Sequence, residues 1–137
     1  MVICAVGDKA VGCDIEYISK APEKVADRFF NQEEKMRLSQ YSGEERNKEF
    51  YRLWTMKESY MKMTGEGMSL ALNQFELHFE ETVQIYRNGS LQDYFLKEYE
   101  LAQDESRQYR ISVCSEEDDF AEQVIFKKWE DLVDKIS

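Results

Sequence analysis

Two neighbouring carboxylates give this chain its clearest sign of chemistry. Asp14 and Glu16 lie two positions apart, directly after the apolar run Val11-Gly12-Cys13. Alternate residues of a strand share one face, so we expect both carboxylates to project to the same side. Carboxylates placed side by side repel each other unless a cation lies between them. Mg²⁺ fits, since it binds a few carboxylates and completes its shell with waters and phosphates.

A predicted helix about forty residues later adds the other groups that such a site needs. Trp54, Glu58 and Lys62 are spaced i, i+4 and i+8, so they form one stripe along the helix. Glu58 would supply a third carboxylate to the cation, and Lys62, one turn further, would neutralise a phosphate. Gly65 and Gly67 follow the helix, and glycine lets the backbone approach a ligand closely. The pattern indicates phosphoryl-group chemistry.

Each of these features also has an ordinary structural explanation. An Asp-x-Glu pair on a strand is usually part of a solvated face. Glu58 with Lys62 is a common surface pair, worth a few tenths of a kcal/mol. Trp54 is more typical of a helix core than of a ligand contact. The abrupt change from an apolar run to two acids beside Gly12 is the detail that these explanations leave open.

Composition excludes several classes of protein. The length of 137 residues with 42% apolar and 34% charged residues predicts a single domain, 1–137, with its own core. No run of ~18 apolar residues is present, so we expect no membrane partner. A net charge of −10 argues against nucleic acid, although a metal and local lysines still allow an anionic ligand. The cysteines (Cys4, Cys13 and Cys114) lack metal-ligand spacing, which predicts reduced thiols in a cytoplasmic protein.

Turn and periodicity signals divide the chain into helices followed by strands. Residues 2–6 and 11–17 predict a hairpin. Pro22 and Asn31 predict two helix starts, and Ser42 a longer helix over roughly 43–63. Beyond it the apolar period changes to two. Further strands are predicted at 75–80, 83–87, 93–101, 109–115 and 123–127, with a short helix from Trp129. The fold class is therefore α+β, an antiparallel sheet packed against one long and two or three shorter helices.

Three segments, in order, resemble the surfactin-synthetase-activating (Sfp-like) class of 4′-phosphopantetheinyl transferases. They are residues 11–16 (VGCDIE), 29–34 (FFNQEE) and 50–62 (FYRLWTMKESYMK). The class carries a G-x-D-x-E strand and, some forty residues later, W-x-x-K-E-x-x-x-K; the interval from Asp14 to Trp54 fits. Residues 65–70 are similar to the loop that follows that helix in the class. The order and spacing of the motifs make the resemblance specific.

The resemblance implies an activity and a role for each matching residue. The class transfers the 4′-phosphopantetheine arm of coenzyme A to a serine of an acyl or peptidyl carrier protein. Asp14, Glu16 and Glu58 would hold Mg²⁺ against the diphosphate of coenzyme A. Glu58 would also take the serine proton, directly or through a water, and Lys62 would neutralise a phosphate oxygen in the transition state. The residues implied in binding the coenzyme are Trp54, Lys57, Lys62, Gly65 and Gly67.

The resemblance also implies that part of the usual protein is missing. Members of the class have two similar α+β halves with the coenzyme between them, and this chain resembles the C-terminal half. The N-x-S-H-S segment of the class is absent, and His78, the single histidine, is expected to be a half-exposed strand residue. A second copy in a homo-oligomer, or a separate complementing half, would complete the site. The alternatives are a non-catalytic remnant that acts as an interaction module, or an unrelated acidic α+β domain with coincidental motifs.

Overall fold

The computed structural model describes residues 2–104, 106–125 and 127. One strand comes first along the described part of the chain, three α-helices follow it, and the remaining strands come after them. Their bounds are β1 Val11–Tyr17, α1 Glu23–Phe29, α2 Gln32–Ser39, α3 Gly43–Thr64, β2 Phe75–Phe79, β3 Val83–Arg87, β4 Ser90–Leu91, β5 Phe95–Asp104 and β6 Arg107–Ser115. None of the helices in these ranges is both long enough and apolar enough to cross a bilayer.

The strands form two antiparallel sheets. One has the order β1-β6-β5 and the other β2-β3-β4. Strand β1 pairs with β6 along its whole length, from Val11 opposite Ser115 to Tyr17 opposite Tyr109. The α+β class with antiparallel strands is confirmed, but the strands divide between two sheets of three.

The predicted helix boundaries are confirmed where local signals are strong. Pro22 precedes α1, and Asn31 caps α2 in a capping box with Glu34. The long helix α3 has 22 residues and ends at Gly65, whose φ of 72° is a left-handed conformation that glycine adopts at little cost. Asn88 and Gly89, between β3 and β4, also have positive φ, as a two-residue hairpin turn of this composition requires.

The predicted N-terminal hairpin is wrong. Residues 2–6 form no strand, and Cys4 is exposed. Strand β1 pairs with β6 on one edge, through seven matched residue pairs, and it is the end strand of its sheet, so no strand pairs with its other edge within the described residues. The last predicted strand, 123–127, is also wrong, since residues 123–125 and 127 carry no strand assignment. The predicted helix from Trp129 lies outside the described residues.

Helix α3 is the central element of the fold. It packs against β1 and β6 on one face of the first sheet, and a hydrogen bond of 3.2 Å joins Ser59 Oγ to Ser112 Oγ. On the other face of that sheet, Val11 and Ile15 border a groove of about 930 Å³. The buried apolar side chains of α3 are Phe50, Leu53, Met56, Tyr60 and Met63. The long helix therefore serves as the core of the domain.

A buried ion pair crosses this core. Glu34 of α2 and Lys57 of α3 are both fully buried, with Lys57 Nζ 2.6 Å from Glu34 Oε1. The same ammonium donates to the carbonyl of Phe75 at 2.9 Å. Glu34 also accepts from the backbone N–H of Asn31 and of Leu77, at 2.9 and 3.1 Å. One carboxylate thus connects α2, α3 and β2.

Candidate active site

Strand β1 turns its acidic residues toward α3 and its apolar residues away from it. Gly12 and Asp14 are buried and Glu16 is half-buried, as expected of residues that alternate on one face. Val11 and Ile15, on the other face, border the groove. This reverses the usual arrangement, in which the polar face of a strand is solvated, and it places two carboxylates against the central helix.

Gly12 allows the strand to approach the helix backbone. A Cβ atom at this position would lie 2.2 Å from the carbonyl oxygen of Ser59 and 2.4 Å from the backbone nitrogen of Met63. Both distances are far below van der Waals contact, and both atoms belong to the main chain of α3. The missing side chain therefore sets how close Asp14, two residues further, comes to the helix.

We expect Gly12→Ala to lower the free energy of unfolding by about 3 kcal/mol, at the upper end of the usual cost of overpacking, because backbone must move. Urea denaturation measures the change. Gly7→Ala is the matched control, since the nearest atom to a Cβ there is 3.8 Å away. Equal stability of the two variants would contradict the close approach of β1 to α3.

Asp14 and Lys62 form the centre of the acidic cluster. Lys62 Nζ lies 2.7 Å from Asp14 Oδ1. Asp14 is only 6% exposed, whereas the side chain of Lys62 is 48% exposed. The second carboxylate oxygen of Asp14, Oδ2, is buried and accepts no hydrogen bond from the described residues. A buried oxygen without a partner is costly, so this atom marks a position suited to a cation.

The pKa values of the cluster report the same crowding of negative charge. Burial raises the pKa of Asp14, although the hydrogen bond from Lys62 acts against it. Burial and then the charge of Asp14 raise the pKa of Glu16 and of Glu58. Burial would lower the pKa of Lys62, but Asp14 and then Glu58 outweigh it and raise that pKa. Three carboxylates thus share one partly buried region with a single ammonium.

This donor set fits Mg²⁺. Its ligands would be carboxylate oxygens, which this hard cation prefers, and Asp14 Oδ2 has a free lone pair. Burial raises the pKa of all three carboxyls, and the charge of Asp14 adds to it for Glu16 and Glu58, so a dication bound between them would favour their charged forms. Asp14, Glu16 and Glu58 are therefore the side chains that would hold the ion.

The structure brings Trp54 to this cluster but not Lys57. A hydrogen bond from Trp54 acts to lower the pKa of Glu16, so the indole adjoins the acidic strand. Its ring also packs against Phe29, with centroids 5.8 Å apart. Lys57, by contrast, is fully buried and bonded to Glu34. Successive helix residues differ by about 100° in direction, which turns Lys57 away from the side of Glu58; its contact with a coenzyme stays a prediction.

Gly65 and Gly67 lie where α3 ends. Both have positive φ, 72° and 59°, and a Cβ at either position would meet no atom within 4 Å. The two glycines are thus needed for the chain direction after the helix, and the space beside them is open. Between them Glu66 pairs with Arg87 at 2.6 Å. A contact of this loop with a coenzyme stays a prediction.

Two residues that matter to the site received no role from the sequence. Gly12 stood inside a strand pattern, and an isolated glycine there is a known signal of close backbone approach. Glu34 was interpretable only as part of a helix cap with Asn31, because its partner Lys57 lies 23 residues away. No local sequence pattern predicts an ion pair between residues so far apart in the chain.

This chain is similar in sequence to known proteins. A family described as the 4′-phosphopantetheinyl transferase superfamily matches residues 10–114. The 4′-phosphopantetheinyl transferase Sfp of Bacillus subtilis (strain 168) is 34% identical over 134 residues, which is 96% of this chain and 58% of that protein. The 4′-phosphopantetheinyl transferase gsp of Aneurinibacillus migulanus is 35% identical over 115 residues, 83% of this chain and 47% of its own. The chain thus spans about half the length of these relatives.

Two solved structures share the fold. The holo-[acyl-carrier-protein] synthase of Thermotoga maritima gives a TM-score of 0.58 at 17% identity, over 77% of this chain and 62% of that one. A holo-(acyl-carrier-protein) synthase of Bacillus anthracis, solved in complex with CoA (3′,5′-ADP), gives a TM-score of 0.59 at 15% identity. The match covers 77% of this chain and 94% of that one. At this identity the likeness concerns the fold alone.

Proposed function

The chain belongs to the 4′-phosphopantetheinyl transferase superfamily, and from this premise we propose that it supplies the metal-binding half of a Mg²⁺-dependent transferase. The proposed reaction moves 4′-phosphopantetheine from coenzyme A to a serine of an acyl or peptidyl carrier protein. The observation that carries the proposal is the carboxylate oxygen Oδ2 of Asp14, which is buried and has no hydrogen-bond partner among the described residues. Asp14 is only 6% exposed and lies near the carboxylates of Glu16 and Glu58.

The proposed reaction is a displacement at phosphorus. The serine oxygen bonds to the phosphorus that carries pantetheine, the bond from that phosphorus to the bridging oxygen breaks, and adenosine 3′,5′-bisphosphate leaves. Such transfers depend on positioning and charge stabilisation more than on covalent help from the protein. When bound, Mg²⁺ would neutralise charge on the diphosphate.

The residues of the chain have distinct proposed roles. Asp14, Glu16 and Glu58 hold the metal, and Glu58, directly or through a water, takes the serine proton. Lys62, whose ammonium is now bonded to Asp14 and is half exposed, turns to a phosphate oxygen of the substrate. Trp54, on the helix, holds the carboxylate of Glu16 in place through its indole N–H.

The proposed site needs a second component to hold the rest of coenzyme A. The chain covers 58% of the Bacillus subtilis relative. We propose that a second copy of the chain or a separate complementing half supplies the missing contacts. For the carrier protein, we propose a contact with Lys24, Arg28 and Met36, each of which is exposed.

We expect a mass increase of one phosphopantetheine when an apo carrier protein is incubated with the chain, coenzyme A and Mg²⁺. Intact-protein mass spectrometry of the carrier measures it, and EDTA should abolish it because the diphosphate then lacks its counter-ion. If the chain alone gives no product, the assay is repeated with an added N-terminal half of a relative. Absence of product in both arrangements would overturn the proposal.

A second candidate function follows from the same difference in length. A chain with this fold and no complementing half would act as a non-catalytic interaction module. Calorimetric titration with coenzyme A separates the two: binding that requires Mg²⁺ supports the transferase, whereas an interaction module gives no heat with or without the metal.

A further inference from the structure

We propose that Glu33, Glu76 and His78 form a second metal site, for a borderline dication such as Zn²⁺, where α2 meets β2. One ligand atom from each of the three side chains lies within 4.8 Å of the others. Two of the residues are carboxylates and one is an imidazole, a set that suits Zn²⁺ and related transition metals better than Mg²⁺. The site does not depend on the proposed transferase activity.

The distances in this cluster match the size of such an ion. His78 Nε2 lies 3.1 Å from Glu76 Oε2 and 3.9 Å from Glu33 Oε2. Ligand atoms bound tetrahedrally at 2.0–2.2 Å from Zn²⁺ are separated by about 3.3–3.6 Å. The two observed separations lie on either side of that range. Small rotations of the exposed glutamates therefore suffice to bind the ion.

The backbone on both sides of the cluster is fixed. Glu76 and His78 are alternate residues of β2, so they share one face of the strand. The His78 ring packs on Tyr86 of β3, with centroids 4.2 Å apart, and this contact orients the imidazole. Glu33 stands next to the buried Glu34, which accepts a hydrogen bond of 3.1 Å from the N–H of Leu77. That bond ties α2 to β2 beside the cluster.

Charge in the cluster also favours a dication. The ion pairs that Glu33 and Glu76 form within the described residues both run to His78. One imidazole carries at most one positive charge, so two carboxylates leave an excess of negative charge. The side chains are 69%, 49% and 28% exposed for Glu33, Glu76 and His78. Water can therefore complete the coordination, and we expect a bound ion to exchange with solvent.

Zn²⁺ titration of metal-free protein without an affinity tag tests the site. A Cys4→Ser background removes the exposed thiol. We expect calorimetry to show a Zn²⁺ site that millimolar Mg²⁺ does not displace. His78→Ala should weaken Zn²⁺ binding at least about tenfold, since changes even in outer-shell partners cost 10–100-fold. Glu80→Gln, an exposed acid just beyond β2, is the matched control and should bind like the parent.

A second measurement needs no ligand variant. His78 is the single histidine of the chain, so its imidazole nitrogens give one set of NMR signals. We expect Zn²⁺ to shift them and Mg²⁺ to leave them in place. Unchanged imidazole signals at saturating Zn²⁺, or undiminished Zn²⁺ affinity in His78→Ala, would overturn the proposal.

Discussion

Glu34→Ala is expected to lower the free energy of unfolding by about 3–5 kcal/mol, the usual cost of removing one partner of a buried ion pair. Lys57 is fully buried and would keep only the carbonyl of Phe75 as an acceptor. Two backbone N–H groups, those of Asn31 and Leu77, would lose their acceptor as well. Urea denaturation with a linear extrapolation measures the loss.

The control for Glu34→Ala is Glu44→Ala. Glu44 also lies in the first turn of a helix but is exposed, so its loss should change stability little. A paired replacement, Glu34→Leu with Lys57→Met, should recover part of the lost stability, because it leaves no buried charge unpaired, although the N–H groups of Asn31 and Leu77 still lack an acceptor. A double variant as unstable as Glu34→Ala would show that the charge on Lys57 is not the cause.

Glu58→Gln is expected to reduce phosphopantetheine transfer at least about 100-fold, the usual cost of removing one preorganised charge-stabilising group. The amide keeps the shape of the side chain but loses both the negative charge for the metal and the capacity to take a proton. The transfer assay with intact-protein mass spectrometry measures the rate. Glu44→Gln, the same change at an exposed position on the same helix, should leave the rate unchanged.

The same variant should be more stable than the parent without Mg²⁺. Burial and the charge of Asp14 raise the pKa of Glu58. A carboxyl whose folded-state pKa is raised adds less stability as pH increases above its ordinary value of about 4, because the charged form is disfavoured in the folded chain. Gln has no such penalty. A higher melting temperature in EDTA, combined with lost transfer, would assign Glu58 to the metal cluster; a lower one would contradict the crowding of charge.

Local periodicity was sufficient to predict which of the candidate side chains share a face. Strand alternation places Asp14 and Glu16 on one face, and helix spacing puts Glu58 and Lys62 on one stripe; the structure brings Asp14 and Lys62 to 2.7 Å. The ion pair between Asp14 and Lys62 was not predicted. The resemblance implied a coenzyme contact for Lys57, and its burial beside Glu34 was not predicted, because a rotation of about 100° per residue separates it from the face of Glu58.

Long-range pairing was not predictable from single segments. Residues 2–6 have the composition of a strand, and their nearness in sequence favoured a hairpin with β1. Whether a strand pairs with its neighbour or with a distant one depends on the whole fold, and here β1 pairs with the distant β6 while residues 2–6 form no strand. The cluster of Glu33, Glu76 and His78 was missed for the same reason, since its members come from a helix and a strand far apart in the chain.

The pairing of β1 with β6 has a consequence for synthesis of the protein. Roughly ninety residues separate Tyr17, where β1 ends, from Arg107, where its partner begins. At 5–20 residues per second a ribosome needs roughly 5 to 20 s to make them. Throughout that interval the edge of β1 has no partner strand, and an unpaired apolar edge invites aggregation. Asp14 and Glu16 place two negative charges on that strand, so the acids that we propose for metal binding would also disfavour its pairing with another chain.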